Sequence, residues 1–249
     1  MTAATLLAHF RERSHPAFLP GFAEAFSEPA SLVFHNSVEL LASAEQIASQ
    51  RAWKVMGLDA GYVDENVDWH RDPISEVNWP LEYHADINLM RGDGSDVRVL
   101  WELNRLPHFI TLACAYSLSK DERFAAEFLN QLGSWRAQNP FGYGANWNCA
   151  MEVALRAMSL LGAFEAFRHS PVVDENQLAN ILALFDEHGT FIRENLEFSY
   201  VATSNHYLSD LIGLVWLGVM LPELENAAEW LDFGKREMLR EMDKQILTV

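Results

Sequence analysis

Residues 148–167 read NCAMEVALRAMSLLGAFEAF, and their spacing decides the fold class. Ala150, Val153, Ala154, Ala157, Leu161 and Phe164 recur at three- and four-residue intervals, the stripe that one buried face of an α-helix requires. The same period runs upstream. Pro107 suits a first helical position, where its missing N–H costs nothing, and Phe109, Leu112 and Tyr116 then share a face. Ser119 and Glu122 have capping-box spacing; Phe124, Phe128, Leu132 and Trp135 follow at helical intervals until Asn139-Pro140 ends the run. Gly142 and Gly144 supply a turn before the quoted helix, for which Asn148 is a candidate N-cap. Downstream, a helix is expected from about Glu175 to Asn195 on Leu178, Ile181, Phe185 and Ile192. Asn205 to Met220 is apolar on nearly all sides, which predicts a buried helix. A last helix, from about Leu224 to Leu247, buries Ala227, Trp230, Leu231, Met238 and Met242. Short connections make neighbours antiparallel. No repeat of tetratricopeptide or ankyrin period is present, so a ring of helical hairpins fits better than a solenoid.

The chain is less uniform before residue 97. Residues 1–50 hold short amphipathic helices broken by Pro16, Pro20 and Pro29, the clearest from Val38 to Arg51. From Ala52 to Asp96 the helical period disappears, while Trp53, Tyr62, Trp69, Trp79 and Tyr83 accumulate around Pro73, Pro80 and a Gly92-Asp93-Gly94 turn. Long irregular segments in a compact domain are often binding loops. Residues 97–249 carry the hairpins, and the whole chain of 249 residues reads as a single domain.

Composition narrows the function classes. With 49 % hydrophobic residues, 15 Phe and 8 Trp, the chain can bury a substantial core. The longest apolar run, Leu211 to Leu221, is too short for a membrane span. Met1 to Pro20 lacks a continuous apolar stretch and does not read as a secretory signal, leaving bacterial periplasm and cytoplasm both open. A net charge of −17 argues against nucleic acid. It argues only mildly against a polyanionic substrate, because fields fade over about 8 Å at physiological salt and a local Arg/His cluster can dominate. The two cysteines, Cys114 and Cys149, lie in helical patterns where a free cysteine acts as a small hydrophobe. Neither they nor the nine scattered histidines have ligand spacing, so no metal and no cofactor is expected.

Four constellations could carry chemistry. Thr203-Ser204-Asn205-His206 opens the most buried helix, either as a cap or as an anion site of first-turn N–H groups with an amide and an imidazole. Trp101-Glu102-Leu103-Asn104-Arg105, with His108 close behind, offers Arg105 for a carboxylate, although Glu102 could pair with it. Asn146-Trp147-Asn148 precedes Glu152 and Arg156, which are either an intrahelical ion pair or a wall of a sugar cleft with Trp147 as a stacking face. Asp68-Trp69-His70-Arg71-Asp72-Pro73 mixes aromatic, cation and carboxylate in the irregular region, though Asp72 could merely start a turn.

Taken in order with Trp79-Pro80 and Glu152-Val153-Ala154-Leu155-Arg156, these segments resemble the N-terminal domain of the heparinase II/III-like lyases, over roughly residues 50 to 247. The resemblance implies an all-α, incomplete (α/α) toroid whose acidic-polysaccharide cleft is completed by a C-terminal antiparallel β-sandwich that this chain lacks. It implies β-elimination at a uronic acid. Asn205 would neutralise the substrate carboxylate, and His206 would bind beside it or assist proton removal. Trp69, His70, Trp101, Glu102, Asn104, Arg105, His108, Trp147, Glu152 and Arg156 would shape or line the cleft. The family's general-acid tyrosine lies some fifty residues beyond the Asn-His pair; that position would fall past Val249, and the chain end at Gln245–Val249 reads as a truncation. The chain alone is therefore expected to be inactive. Two other readings stay open: a glycoside hydrolase on a helical barrel, using Glu102 with Glu152 or Asp72, and a non-catalytic carbohydrate-binding or assembly module.

Overall fold

A computed structural model describes residues 2–14, 36–61, 67–200 and 204–245, with only the backbone at 59–61 and 245. The expectations that rest on Pro16, Pro20, Pro29, Tyr62, Thr203 and Leu247 fall outside the described residues.

The chain is helical, as its periodicity requires. Helices α1 (Ala3–Glu12) and α2 (Ser37–Gln50) precede a two-stranded antiparallel hairpin, β1 (Ala52–Val55) and β2 (Leu58–Gly61), in which Trp53 pairs with Ala60. Then come α3 (Val97–Asn104), α4 (His108–Ser119), α5 (Glu122–Gln138), α6 (Ala150–Phe167), α7 (Glu175–Glu194), α8 (Asn205–Met220) and α9 (Ala227–Gln245). Helices α2, α4, α6 and α8 pack each against the next to form an inner row. Outside it, α5 lies against α4, α7 against α6 and α8, and α9 against α8, giving an arc of hairpins in two layers. The first helix reaches back to this arc: Arg13 bonds Glu165 at 2.5 Å and Glu223 at 3.1 Å.

Local chemistry sets the boundaries. Asn36, Asp96, Asp121, Asp174 and Ser204 each accept a first-turn N–H, offsetting one of the donors that a helix start leaves orphaned. Arg51 and Lys120, both left-handed, close α2 and α4. Some assignments from sequence need correction. Asp121, not Ser119, caps α5, while the Ser119 hydroxyl donates back to Ala115 O (2.7 Å). Cys149, not Asn148, is the N-cap of α6, and Pro107 precedes α4 instead of opening it. Neither α3 nor the hairpin was expected, since each is too short for a periodic signal.

One apolar cluster runs through the hairpin and all of α1 to α9, with Val99 and Leu103 contributed by α3. A smaller one, built on Trp79, Ile87, Val97, Leu100 and Ala145, holds the irregular segment against α3. Two glycines permit helix contacts that a side chain would block. A Cβ on Gly213 of α8 would lie 2.6 Å from that of Ala154 on α6, and one on Gly189 of α7 would meet the Trp230 ring at 2.4 Å. Among the described residues no helix is long and apolar enough to cross a membrane.

Candidate functional site

The inner helices α6 and α8 begin at the same end of the arc, and a carboxylate joins their starts. Glu197, in the segment between α7 and α8, places Oε1 2.9 Å from His206 Nδ1. Its Oε2 accepts the Met151 N–H at 2.9 Å and the Cys149 thiol at 3.3 Å. The Glu197 N–H donates to Asp210 Oδ2 (2.8 Å), one turn into α8. Asp210 is buried, which pushes its carboxyl up to about 8 and keeps it neutral at pH 7. Burial, then the nearby Glu197 carboxylate, push the Cys149 thiol far above its ordinary range. Ser204 accepts from Tyr207 N and is the cap. Asn205 and His206 therefore occupy the first turn itself, Asn205 exposed and His206 half-buried.

Alongside stands an arginine gripped by acids. Arg105, which ends α3, donates from Nε and Nη2 to the two oxygens of Glu152 at 2.6 and 2.9 Å. Its Nη1 bonds Glu102. The hydrogen bonds to Glu152 hold the guanidinium pKa above its ordinary value. Glu152 sits in the first turn of α6 and is buried, so its partner is Arg105 rather than Arg156, as the intrahelical pairing supposed. Trp101 is half-buried and donates from its indole to Ala145 O (2.8 Å).

Six residues expected to shape or line the cleft are interior instead: Trp69, Asn104, His108, Trp147, Glu152 and Arg156, none more than 3 % exposed. Each is spoken for. Arg156 lies over Trp135 (4.6 Å) and Trp147 (5.2 Å), donating to His188 Nε2 (2.9 Å) and Asn146 O (3.1 Å). Desolvation lowers its pKa to about 9, still charged at pH 7. His108 is stacked on Trp53 at 3.9 Å and bonded to Gln131; burial lowers its pKa to about 3, so it is a neutral core ring. Asn104 donates to Trp69 O and Leu100 O and accepts from the Trp135 indole. The Trp69 indole donates to Ser134 Oγ. His70 is half-buried, bonded through Nε2 to Gln138 O (2.8 Å) and seated where Gly144 leaves room for its ring. Asp72 is buried and accepts the N–H groups of Ile74, Ser75 and Asp96, the turn role, while Glu152 is held by Arg105.

Sequence reasoning missed Glu197, which stands nine positions before His206 in a connection without periodic signal, and the role of Cys149, whose partners lie 48 and 57 positions away. It named Tyr83 in a possible binding loop but passed over Tyr143, Phe198 and Tyr200. Tyr83 and Tyr143 are about half exposed, with centroids 6.1 Å apart, and are tied to the α6 start through Asn148, whose amide donates to His84 O. Phe198 touches Tyr207 and Tyr200 beside Glu197. Tyr83, Tyr143, Phe198 and Tyr200 are exposed, whereas Trp147 and Trp69 are buried.

Comparison with known proteins places this geometry. The family model described as heparinase II/III N-terminus matches residues 2–248. Among curated proteins, a heparin-sulfate lyase of Pedobacter heparinus is 26 % identical over 171 residues, covering 67 % of this chain and 25 % of the relative. A heparin-sulfate lyase of Bacteroides stercoris is 27 % identical, covering 67 % and 27 %. This chain thus spans about a quarter of the length of these relatives. The crystal structure of the heparan sulfate lyase HepC from Pedobacter heparinus superposes with a TM-score of 0.71 at 22 % identity, over 99 % of this chain and 35 % of that one. A heparinase III structure matches with a TM-score of 0.66 at 19 % identity, over 99 % and 35 %. Those structural likenesses establish the helical toroid fold. With the family match running from residue 2 to residue 248, the chain belongs to the heparinase II/III N-terminal family.

Proposed function

We propose that this chain forms one side of the substrate cleft of a polysaccharide lyase that cleaves uronic-acid polymers by β-elimination, completed by a C-terminal β-sandwich. The carrying observation is the placement of Asn205 and His206 on the first turn of α8, with Glu197 behind the imidazole. The names of the relatives, heparin-sulfate lyases, support the substrate class.

The reaction has three demands: the uronate carboxylate must be neutralised, the C5 proton removed, and the departing glycosidic oxygen protonated. The exposed Asn205 amide sits where a helix start favours an anion and is suited to the first. His206 is suited to the second. Its Nδ1–H donates to the Glu197 carboxylate, which leaves Nε2 as an acceptor toward the cleft. Glu197 acts through His206 and is a positioning residue. Glu102 and Arg105 form the neighbouring wall, with Trp101 and His70 at its half-buried edge. Because Arg105 already serves two carboxylates, its role is to brace Glu152 at the start of α6 more than to bind substrate. The third demand falls to a group outside this chain. Each missing acid or base typically costs about 10²- to 10⁴-fold in rate, so the chain alone binds uronate oligomers and turns them over negligibly.

The test compares this chain with the same chain joined to a β-sandwich of the family, on heparan-type and alginate-type polymers. The joined protein should release unsaturated uronate products detected by their ultraviolet absorption. Asn205→Ala should abolish that release. Reducing ends without unsaturation would replace the lyase reading with hydrolysis.

A further inference from the structure

We propose that Cys149, Glu197 and His206 form a binding site for a divalent transition-metal ion of the zinc type. Three segments supply the ligands: the cap of α6, the α7–α8 connection and the first turn of α8. One donor atom from each lies within 4.8 Å of the others. The individual separations are 2.9 Å from His206 Nδ1 to Glu197 Oε1, 3.3 Å from Cys149 Sγ to Glu197 Oε2, and 3.9 Å from Sγ to Nδ1. A tetrahedral zinc with ordinary bond lengths separates sulfur from nitrogen by about 3.6 Å and nitrogen from oxygen by about 3.3 Å. The Sγ–Nδ1 and Nδ1–Oε1 separations each lie within a few tenths of an ångström of those values, and rotation of the Glu197 carboxylate sets which oxygen ligates.

The donor set selects the ion. One sulfur, one imidazole nitrogen and one carboxylate oxygen disfavour calcium and magnesium, which want oxygen alone, and suit zinc or cobalt. A thiolate and a carboxylate together carry two negative charges against the cation's two positive ones. On binding, the thiol proton leaves to solvent, and the imidazole proton moves from Nδ1 to Nε2. The Met151 N–H to Glu197 Oε2 bond holds the carboxylate from behind. Glu197 and His206 are each about one-third exposed, whereas Cys149 is buried, so solvent reaches the site from the side of the two harder ligands. Three protein ligands leave a fourth position for the oxygen of water or of a carboxylate, the pattern of a reactive zinc site rather than a closed structural one.

The site shares His206 with the proposed lyase cleft, but its test needs no polymer cleavage, so either reading can fail without the other. Cobalt(II) titrated into the whole chain should give one equivalent of a near-ultraviolet thiolate-to-metal charge-transfer band, displaced by zinc. Cys149→Ser should abolish the band, and Cys114→Ser, changing a buried core thiol on α4, should keep it. Glu197→Gln and His206→Ala, which retain the thiol, should each weaken cobalt binding at least tenfold. Absence of the band in the unaltered chain, or its survival in Cys149→Ser, would overturn the site. So would undiminished affinity in both Glu197→Gln and His206→Ala.

Discussion

Replacing Arg156 by Met separates a buried structural arginine from a substrate-binding one. Met keeps most of the aliphatic stem, so little cavity is created, but both donated hydrogen bonds are lost. His188 Nε2 and Asn146 O, at 2.9 and 3.1 Å, are left as buried acceptors without their donor. Each orphaned group costs about 1–3 kcal/mol. Loss of the desolvated cation from between Trp135 and Trp147 adds about 1–2 kcal/mol. Against this, the substitution removes the penalty of holding a charge in the interior, several kcal/mol in the opposite sense. His188 and Asn146 are neutral, so no uncompensated ion remains, and the net is about 2–4 kcal/mol of destabilisation. For a chain of this size that corresponds to a melting temperature lower by roughly 5–12 °C. Thermal denaturation followed by circular dichroism, with urea titration as a cross-check, reads it directly. A variant that melts within about 2 °C of the parent yet loses oligosaccharide affinity would refute the buried-network reasoning and return Arg156 to the cleft.

Three further outcomes are expected. Asp210 has its pKa raised from 3.8 to about 8; its folded value exceeds its unfolded one, so its contribution is full below pH 4 and is lost as pH climbs through 8. Asp210→Asn should therefore flatten the decline in melting temperature between pH 5 and pH 8, and a parallel decline in both proteins would contradict the assignment. Glu152→Gln removes the charge that Arg105 grips with two hydrogen bonds, and should cost about 1–3 kcal/mol by urea titration; no loss would mean the pair is not held in solution. Gly189→Ala drives a methyl into the Trp230 ring and should destabilise by about 1–3 kcal/mol, with Trp fluorescence reporting the displaced indole. An unshifted spectrum and midpoint would show that α7 and α9 do not pack as described.

Much of the helical frame was legible before any coordinates, because a 3.6-residue period survives wherever a helix buries one face. Ala150, Val153, Ala154, Ala157, Leu161 and Phe164 all lie in the core, and α8 spans the expected Asn205–Met220. Helix starts were less legible. At the α5 start, Ser119 has capping-box spacing but Asp121 accepts the N–H, a choice that depends on backbone angles a pattern does not carry. The site was legible only in part. Polar residues in an aromatic setting, such as Asn104, His108 and Arg156, read equally well as cleft or as core. Local sequence does not say whether an Arg will find buried acceptors.

Sequence alone established an acidic, aromatic-rich, all-α chain of hairpins, the family it resembles, and an Asn-His pair at the head of its most apolar helix. These follow from short-range chemistry: periodicity, capping and composition. The tertiary structure decided which of the polar residues face solvent, that Glu152 belongs to Arg105, and that Glu197 and Cys149 stand against His206. Those facts depend on contacts between residues up to 57 positions apart. Which helix ends come together is set by packing the inner row of α2, α4, α6 and α8, a long-range property with no local signature.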